Sequence, residues 1–285
     1  MDYVDIGVFA YNEEKIIKNN LRSILKQEEN GFKINKIFVF SDSSTDNTEK
    51  IVKELSESDR RIKLYSNKNR IGKGRTINKF LKLAESELLI ISSADIILKK
   101  DCIQYLIKNL NRENVGLVVA HPISIPNSNT LMSKVSTFQW RFLDIISEEK
   151  PKFGELIGLK KVIEKIPHPS VDEEEIAKLI LEKGFLITYE RDAIVYNSPP
   201  KTISDFLKQR RRIYCGHLEL KNKKNYEVPT LSNLSLLMKF FKHMNHFNLR
   251  IALISGVLEI FARFLGVIDY ITNKKKHYVW EKIER

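Results

Sequence analysis

Residues 4–25, VDIGVFAYNEEKIIKNNLRSIL, decide the fold. The run 4–10 is β-branched and apolar, whereas Ile16, Ile17, Leu21, Ile24 and Leu25 recur at helical spacing, so a buried strand gives way to an amphipathic helix across a polar turn. The same alternation continues outward. Strand-like runs stand at 35–41 (NKIFVFS), 61–66 (RIKLYS), 87–93 (ELLIISS) and 115–120 (VGLVVA), with helical spacing between them, as at Ile51, Val52 and Leu55. Strands alternating with helices predict an α/β domain with a mainly parallel, mixed sheet flanked by helices. Ligands of such sheets lie beyond the carboxyl ends of the strands. Polar clusters fall there: Tyr11 to Glu14, Ser41 to Thr48, Asn67 to Asn78 and Ser93 to Asp95.

Further along, the pattern predicts an irregular stretch at Gly154 to Leu159 and a helix over 172–183. Strands follow at 185–189 and 193–196, then a basic helix from about Thr202. The run KNKKNYEVP reads as a linker. The expected division is therefore one domain over 1–222 and a helical region over 223–285.

Composition narrows the function classes. With 42% hydrophobic and 29% charged residues, the 285-residue chain is of ordinary globular type. Cys102 and Cys215 have no CxxC spacing, which argues against a zinc site or a disulfide framework. The net charge of +12 is segregated: residues 201–285 carry 17 Lys and Arg against 7 Asp and Glu. That placement argues against a nucleic-acid binder and directs the C-terminal region toward an anionic partner. The opening MDYVDIGVFAYNEE puts acids where the basic start of a secretion leader would stand, so the folded part is expected in the cytoplasm.

Each polar cluster admits a structural and a ligand-binding reading. Asn12 either caps the first helix or faces the ligand. Asp46 and Glu49 suit a helix cap; Asp42, at the strand end, is not needed for one and can accept from a nucleobase N–H. Gly72, Lys73, Gly74 and Arg75 precede a helix, as in loops that approach phosphate, although the Walker spacing is absent. Asp95 follows a buried strand, where a carboxylate can either cap the turn or hold Mg²⁺ or Mn²⁺ alongside diphosphate and water.

The order YNEE, SDSSTDNT, GKGRTIN, SAD, DEEE and QRRRI, spread over roughly residues 4 to 220, resembles the inverting family 2 glycosyltransferases of GT-A fold. The resemblance implies a uridine-type nucleotide site built from Tyr11, Asn12, Glu14, Asp42 and Lys73, with Asn78 supporting the loop and Ser93 near a ribose. It implies that Asp95 is the metal-binding aspartate of the DxD motif, and that Asp172 and Glu173 form the acidic pair, Glu173 in the position of the catalytic base. Gln209 and Arg212 align with the family's QxxRW motif, where an arginine steadies the departing diphosphate. The sequence departs from the pattern in four respects. Ser41 and Ser93 stand for aspartates, the acidic pair is inverted, and Ile213 replaces a tryptophan that marks processive synthesis. Arg210 and Arg211 are expected to be solvated or to face lipid headgroups.

The C-terminal region reads as membrane-seeking. Lys239, Lys242, His243 and His246 fall on one face of a helix spanning 234–248, and Leu234, Leu237, Met238, Phe241 and Met244 on the other. The segment 251–271 is nearly long enough to span a bilayer, but Glu259, Arg263 and Asp269 disfavour spanning unless Glu259 and Arg263 pair. A monotopic helix with Lys274 to Lys276 on an anionic surface is expected; packing on the body or a contact between copies, giving a homo-oligomer, is the alternative. Together these features predict a metal-assisted inverting hexosyltransferase. It would take a nucleotide-sugar donor and a lipid-linked or saccharide acceptor, and sit peripherally or monotopically at the cytoplasmic face of a membrane. The alternatives are a non-catalytic nucleotide-binding member of the same fold and a sugar nucleotidyltransferase. The latter would carry a Gly-rich basic loop where AYNEE stands.

Overall fold

The computed structural model describes residues 1–125, 129–152, 154–167, 172–224, 226 and 228–272. Its centre is an eight-stranded sheet: β1 (Asp2–Ala10), β2 (Phe32–Ser41), β3 (Ile62–Ser66), β4 (Leu88–Ser93), β5 (Ile96–Leu98), β6 (Val115–Ser124), β7 (Leu156–Lys160) and β8 (Leu186–Asn197), in the order β3-β2-β1-β4-β7-β6-β8-β5. The first four strands of that order are mutually parallel. β7 runs antiparallel to both β4 and β6, and β5 antiparallel to β8.

Alternation along the strands builds two cores. Val4, Ile6, Val8 and Ile90 point to one face, where Ile17, Leu21 and Ile24 of α1 (Ile17–Leu25), Val52 of α2 (Thr48–Ser58), and Ile103 and Leu106 of α4 (Cys102–Leu110) cover them. Phe9, Phe38, Phe40, Leu89 and Ile91 point to the other face. There they meet Ile77 and Phe80 of α3 (Lys73–Leu83) and Ile176 and Ile180 of α6 (Asp172–Glu182). The acidic first turn of α6 suits the positive end of that helix.

The remaining helices are α5 (Leu131–Glu149), α7 (Ile203–Lys224), α8 (Asn233–His243) and α9 (Leu249–Thr272). The chain divides into two compact units. One comprises Met1–Pro122 and the described residues of Phe153–Asn197; the other comprises Ile123–Lys152 and the described residues of Ser198–His277. This differs from the division expected at residue 222, because α7 packs with the C-terminal helix. Arg210 of α7 makes a two-pronged ion pair with Glu259 of α9, at 2.8 and 2.9 Å. Arg211 does the same with Asp269, its Nε 2.7 Å from the carboxylate. Gly266 lets the helices touch: a Cβ there would lie 2.8 Å from the Arg211 carbonyl oxygen. These two arginines therefore bind carboxylates of the same unit, which corrects the expectation that they are solvated or face headgroups. Arg263 bonds Glu259 at 3.0 Å, the i, i+4 pair on which the sequence reading made its condition.

The expected helix over 234–248 is also broken. α8 stops at His243, a 3-10 turn occupies Met244–His246, and α9 starts at Leu249. Lys239 is turned inward onto Glu149 of α5 rather than outward with Lys242. Lys274 to Lys276 lie outside the described residues.

Candidate active site

The loops that follow β1, β2, β3 and β4 all leave the same end of the sheet, because these strands are parallel. Antiparallel β7 brings its start to that end too: the Ser93 N–H donates to the Glu155 carbonyl at 2.9 Å. Ten of the expected site residues belong to this unit.

After β1, the backbone turns at Asn12, whose φ of 55° is one that asparagine tolerates better than most residues. Its side-chain oxygen accepts from the Thr45 N–H at 2.7 Å, and its own N–H donates to Ser44 Oγ. Glu14 accepts from the backbone and side-chain N–H groups of Asn47 at 3.0 and 2.8 Å. Asn12 and Glu14 thus lace the β1 loop to the β2 loop. Tyr11 carries the Arg70 guanidinium over its ring, 3.4 Å from the centroid.

Asp42 is buried at the end of β2. One oxygen accepts from the Ile71 N–H and from Asn67 Nδ2, each at 2.9 Å, and the other from the Gly72 N–H at 3.0 Å. It therefore sets the shape of the 67–72 loop. Arg70 Nε stands 3.8 Å from that second oxygen. Gly72 has φ 88°, a conformation that side chains disfavour, and it starts α3 at Lys73.

Lys73 is the hub. Its ammonium group pairs with Glu173, lies 3.9 Å from an Asp172 oxygen and stands 3.5 Å from Ser93 Oγ. Burial opposes the charge of Lys73, but Glu173 first, then Asp172 and Glu155, more than offset it and raise its pKa. The glycine-lysine loop and the acidic pair, 100 residues apart in sequence, are thereby brought together. Of the two carboxylates, the Asp172 side chain is fully buried, whereas that of Glu173 keeps 13% of its surface exposed.

Asp95 sits half-buried in the turn between β4 and β5. Asn20, buried on α1, fixes that turn by donating to the carbonyls of Ser93 and Ile96 at 3.2 and 2.8 Å. Among the described residues, no group of three or more His, Cys, Asp or Glu could hold a metal ion. A lone carboxylate still fits Mg²⁺ or Mn²⁺ bound jointly with a diphosphate, since Mg²⁺ in phosphate sites commonly takes only one or two protein carboxylates.

Asn78 does not brace the 72–75 loop, as the sequence reading expected. It exchanges two hydrogen bonds with the Ile166 backbone, at 3.0 and 2.7 Å, and so anchors the segment that leads toward α6. Gln209 and Arg212 lie in the other unit, half-buried on α7. They are three residues apart and share a helix face, whereas Arg210 points nearly opposite to Arg212. Sequence reasoning missed Asn20 and Glu155. A polar residue inside the apolar spacing of α1 was the available signal for the first; Glu155 had none.

Comparison with known proteins gives the family and the fold. The family model described as Glycosyl transferase family 2 matches residues 5–170, and the chain belongs to that family. The poly-beta-1,6-N-acetyl-D-glucosamine synthase of Staphylococcus aureus (strain COL) is 26% identical over 226 residues, covering 74% of this chain and 53% of the relative. The chain thus spans about half the length of that curated relative. Among solved structures, the mannosyltransferase PcManGT from Pyrobaculum calidifontis, in complex with GDP-Man and Mn²⁺, superposes with a TM-score of 0.68. It is 19% identical, over 95% of this chain and 88% of that one. S. aureus TarS 1-349 in complex with UDP-GlcNAc gives a TM-score of 0.52 at 20% identity, over 98% and 83%. The fold is therefore the GT-A glycosyltransferase fold. Asp172, Glu173, Gln209 and Arg212 lie beyond the family-matched residues.

Proposed function

We propose that the chain moves a sugar from a nucleoside diphosphate donor, of UDP-sugar type, to a hydroxyl of an acceptor held at a membrane surface, inverting the anomeric carbon. The observation that carries the reading is the convergence of Lys73, Ser93 and the Asp172–Glu173 pair at the strand ends. In the proposed reaction the acceptor oxygen attacks the anomeric carbon, its proton passes to Glu173, and the bond from that carbon to the diphosphate oxygen breaks. A base so placed contributes about 10² to 10⁴ in rate. Asp42 and the loop it shapes receive the base and ribose beside Tyr11, Asn12 and Ser93. Asp95 would hold Mg²⁺ or Mn²⁺, which would offset the charge of the diphosphate.

The second unit supports a membrane setting. Along α9, Leu249, Leu253, Val257, Ile260, Phe264 and Ile271 are exposed at helical spacing. The two acidic residues of that helix, Glu259 and Asp269, are drawn inward by Arg210 and Arg211. Leu237, Met238 and Phe241 of α8 are exposed as well. An apolar stripe of this length, with its carboxylates paired on the protein side, suits monotopic docking on an anionic bilayer. α9 is long and apolar enough to cross a membrane, but only if its paired charges cross with it. Both cysteines are free and buried, in keeping with the cytoplasmic side.

Calorimetric titration of the purified chain with UDP and GDP, with and without Mn²⁺, followed by donor hydrolysis, tests the reading. Metal-strengthened binding of one nucleotide and hydrolysis of its sugar conjugate are expected. Absence of binding by either nucleotide contradicts it.

A further inference from the structure

One lysine carries two assignments that cannot hold at the same moment. Lys73 opens α3 behind Gly72, where backbone N–H groups and a cation would meet a diphosphate. Yet its ammonium is paired with Glu173, the carboxylate assigned to take the acceptor's proton. While that ion pair lasts, Glu173 is a poor base, because an adjacent cation favours its ionised form and lowers its proton affinity.

We propose that Lys73 is a positioning residue that couples donor binding to base strength: it holds Glu173 until a nucleoside diphosphate arrives, then turns its ammonium to the phosphate oxygens and leaves Glu173 to accept a proton. This rests on the nucleotide-sugar reading above.

The geometry permits the transfer with a small movement. Ser93 Oγ lies 3.5 Å from the ammonium, two residues before Asp95. The ammonium therefore already reaches both the strand end proposed for the metal and diphosphate and the start of α6. The charged groups facing it are Glu173 and Asp172 from α6 and Glu155 from the segment entering β7. Once the cation is shared with phosphate, Glu173 is left beside the buried Asp172. Two neighbouring carboxylates with less positive charge between them do not both remain ionised easily, so the pair's affinity for a proton rises.

The linked proton is measurable without knowing the acceptor. Titration of the full chain with UDP and with GDP, in Mg²⁺ and in buffers of differing ionisation enthalpy near neutral pH, gives the protons taken up per nucleotide bound. Proton exchange by the nucleotide's own phosphate is common to every variant and cancels in the differences. Relative to Glu173→Gln, the wild-type chain should take up on the order of half a proton more. Lys73→Met should lose that difference and bind the nucleotide at least about tenfold more weakly. Lys73→Arg, which keeps the charge, should retain much of it, with folding of each variant checked by circular dichroism. Equal proton counts in the wild-type and Glu173→Gln proteins, with binding intact, overturn the coupling alone. Failure of the wild-type chain to bind either nucleotide overturns the nucleotide reading and the coupling together.

Discussion

Arg210 Nε stands 2.8 Å from Glu259 Oε2 across 49 residues of sequence, and Arg263 closes on the same carboxylate. Burial alone would raise the Glu259 pKa, but Arg210 and then Arg263 more than offset it and bring it down to about 2. Removing one member of such a half-buried pair strands the other charge, at a cost below the roughly 3–5 kcal/mol of a fully buried one. Glu259→Ala should therefore lower the urea midpoint strongly. The triple variant Glu259→Leu with Arg210→Leu and Arg263→Leu should recover much of the loss, because neither arginine is left facing the vacated carboxylate site. Equal losses in both would show that packing, not charge pairing, joins α7 to α9.

Asp42 holds three donors from the 67–72 loop, and bonds to a charged acceptor are worth about 1.5–3 kcal/mol each. Asp42→Ala should cost at least about 2 kcal/mol of stability and weaken nucleotide binding by at least an order of magnitude while the sheet remains folded. Calorimetric titration alongside chemical denaturation separates the two effects.

His217 makes no hydrogen bond through Nε2 among the described residues, and burial, aided by Lys152, Arg210 and Arg263, holds its pKa well below 6.5. The unfolded chain therefore binds a proton more readily than the folded one once pH drops below about 6.5. The sign follows: stability contributed by the neutral imidazole is fully present at pH 8 and falls as pH drops through the unfolded value. Melting temperature should decline between pH 7 and 5 in the wild-type chain and decline less in His217→Leu. A matching slope in the two proteins would contradict this.

Ile260 and Phe264 are 70% and 60% exposed on the outer face of α9. Burying such side chains in lipid is worth roughly 1.5–3 kcal/mol each. Ile260→Glu with Phe264→Glu should leave thermal stability nearly unchanged and cut sedimentation with anionic liposomes at least about tenfold. Unchanged sedimentation, with loss of a dimer in analytical ultracentrifugation, would assign the stripe to a contact between copies instead.

The parallel half of the sheet was legible because β1, β2 and β4 are buried on both faces and read as continuous apolar runs. α5 was missed. Its buried positions include Ser133, Ser136 and Ser147, so the apolar period is diluted. Glu190, Arg191 and Asp192 interrupt β8 in sequence, although the backbone runs through them as one strand. The strand-end clusters were legible as polar runs, and the parallel strands bring them to one end of the sheet. What the sequence withheld is how its members spend their hydrogen bonds: Glu14 on Asn47, Asn78 on Ile166, and Lys73 on a carboxylate 100 residues away. Pairings over such separations have no local signature. The same holds for Arg210 and Arg211, whose partners lie 49 and 58 residues on.

The central claim is that the exposed carboxylate of the acidic pair removes the acceptor's proton. With the donor identified by titration, transfer should be measured for Glu173→Gln and Asp172→Asn in folded protein under saturating donor. The account predicts that Glu173→Gln lowers kcat by about 10² to 10⁴ with donor affinity retained, and that Asp172→Asn has the smaller effect. Undiminished transfer by Glu173→Gln would contradict it.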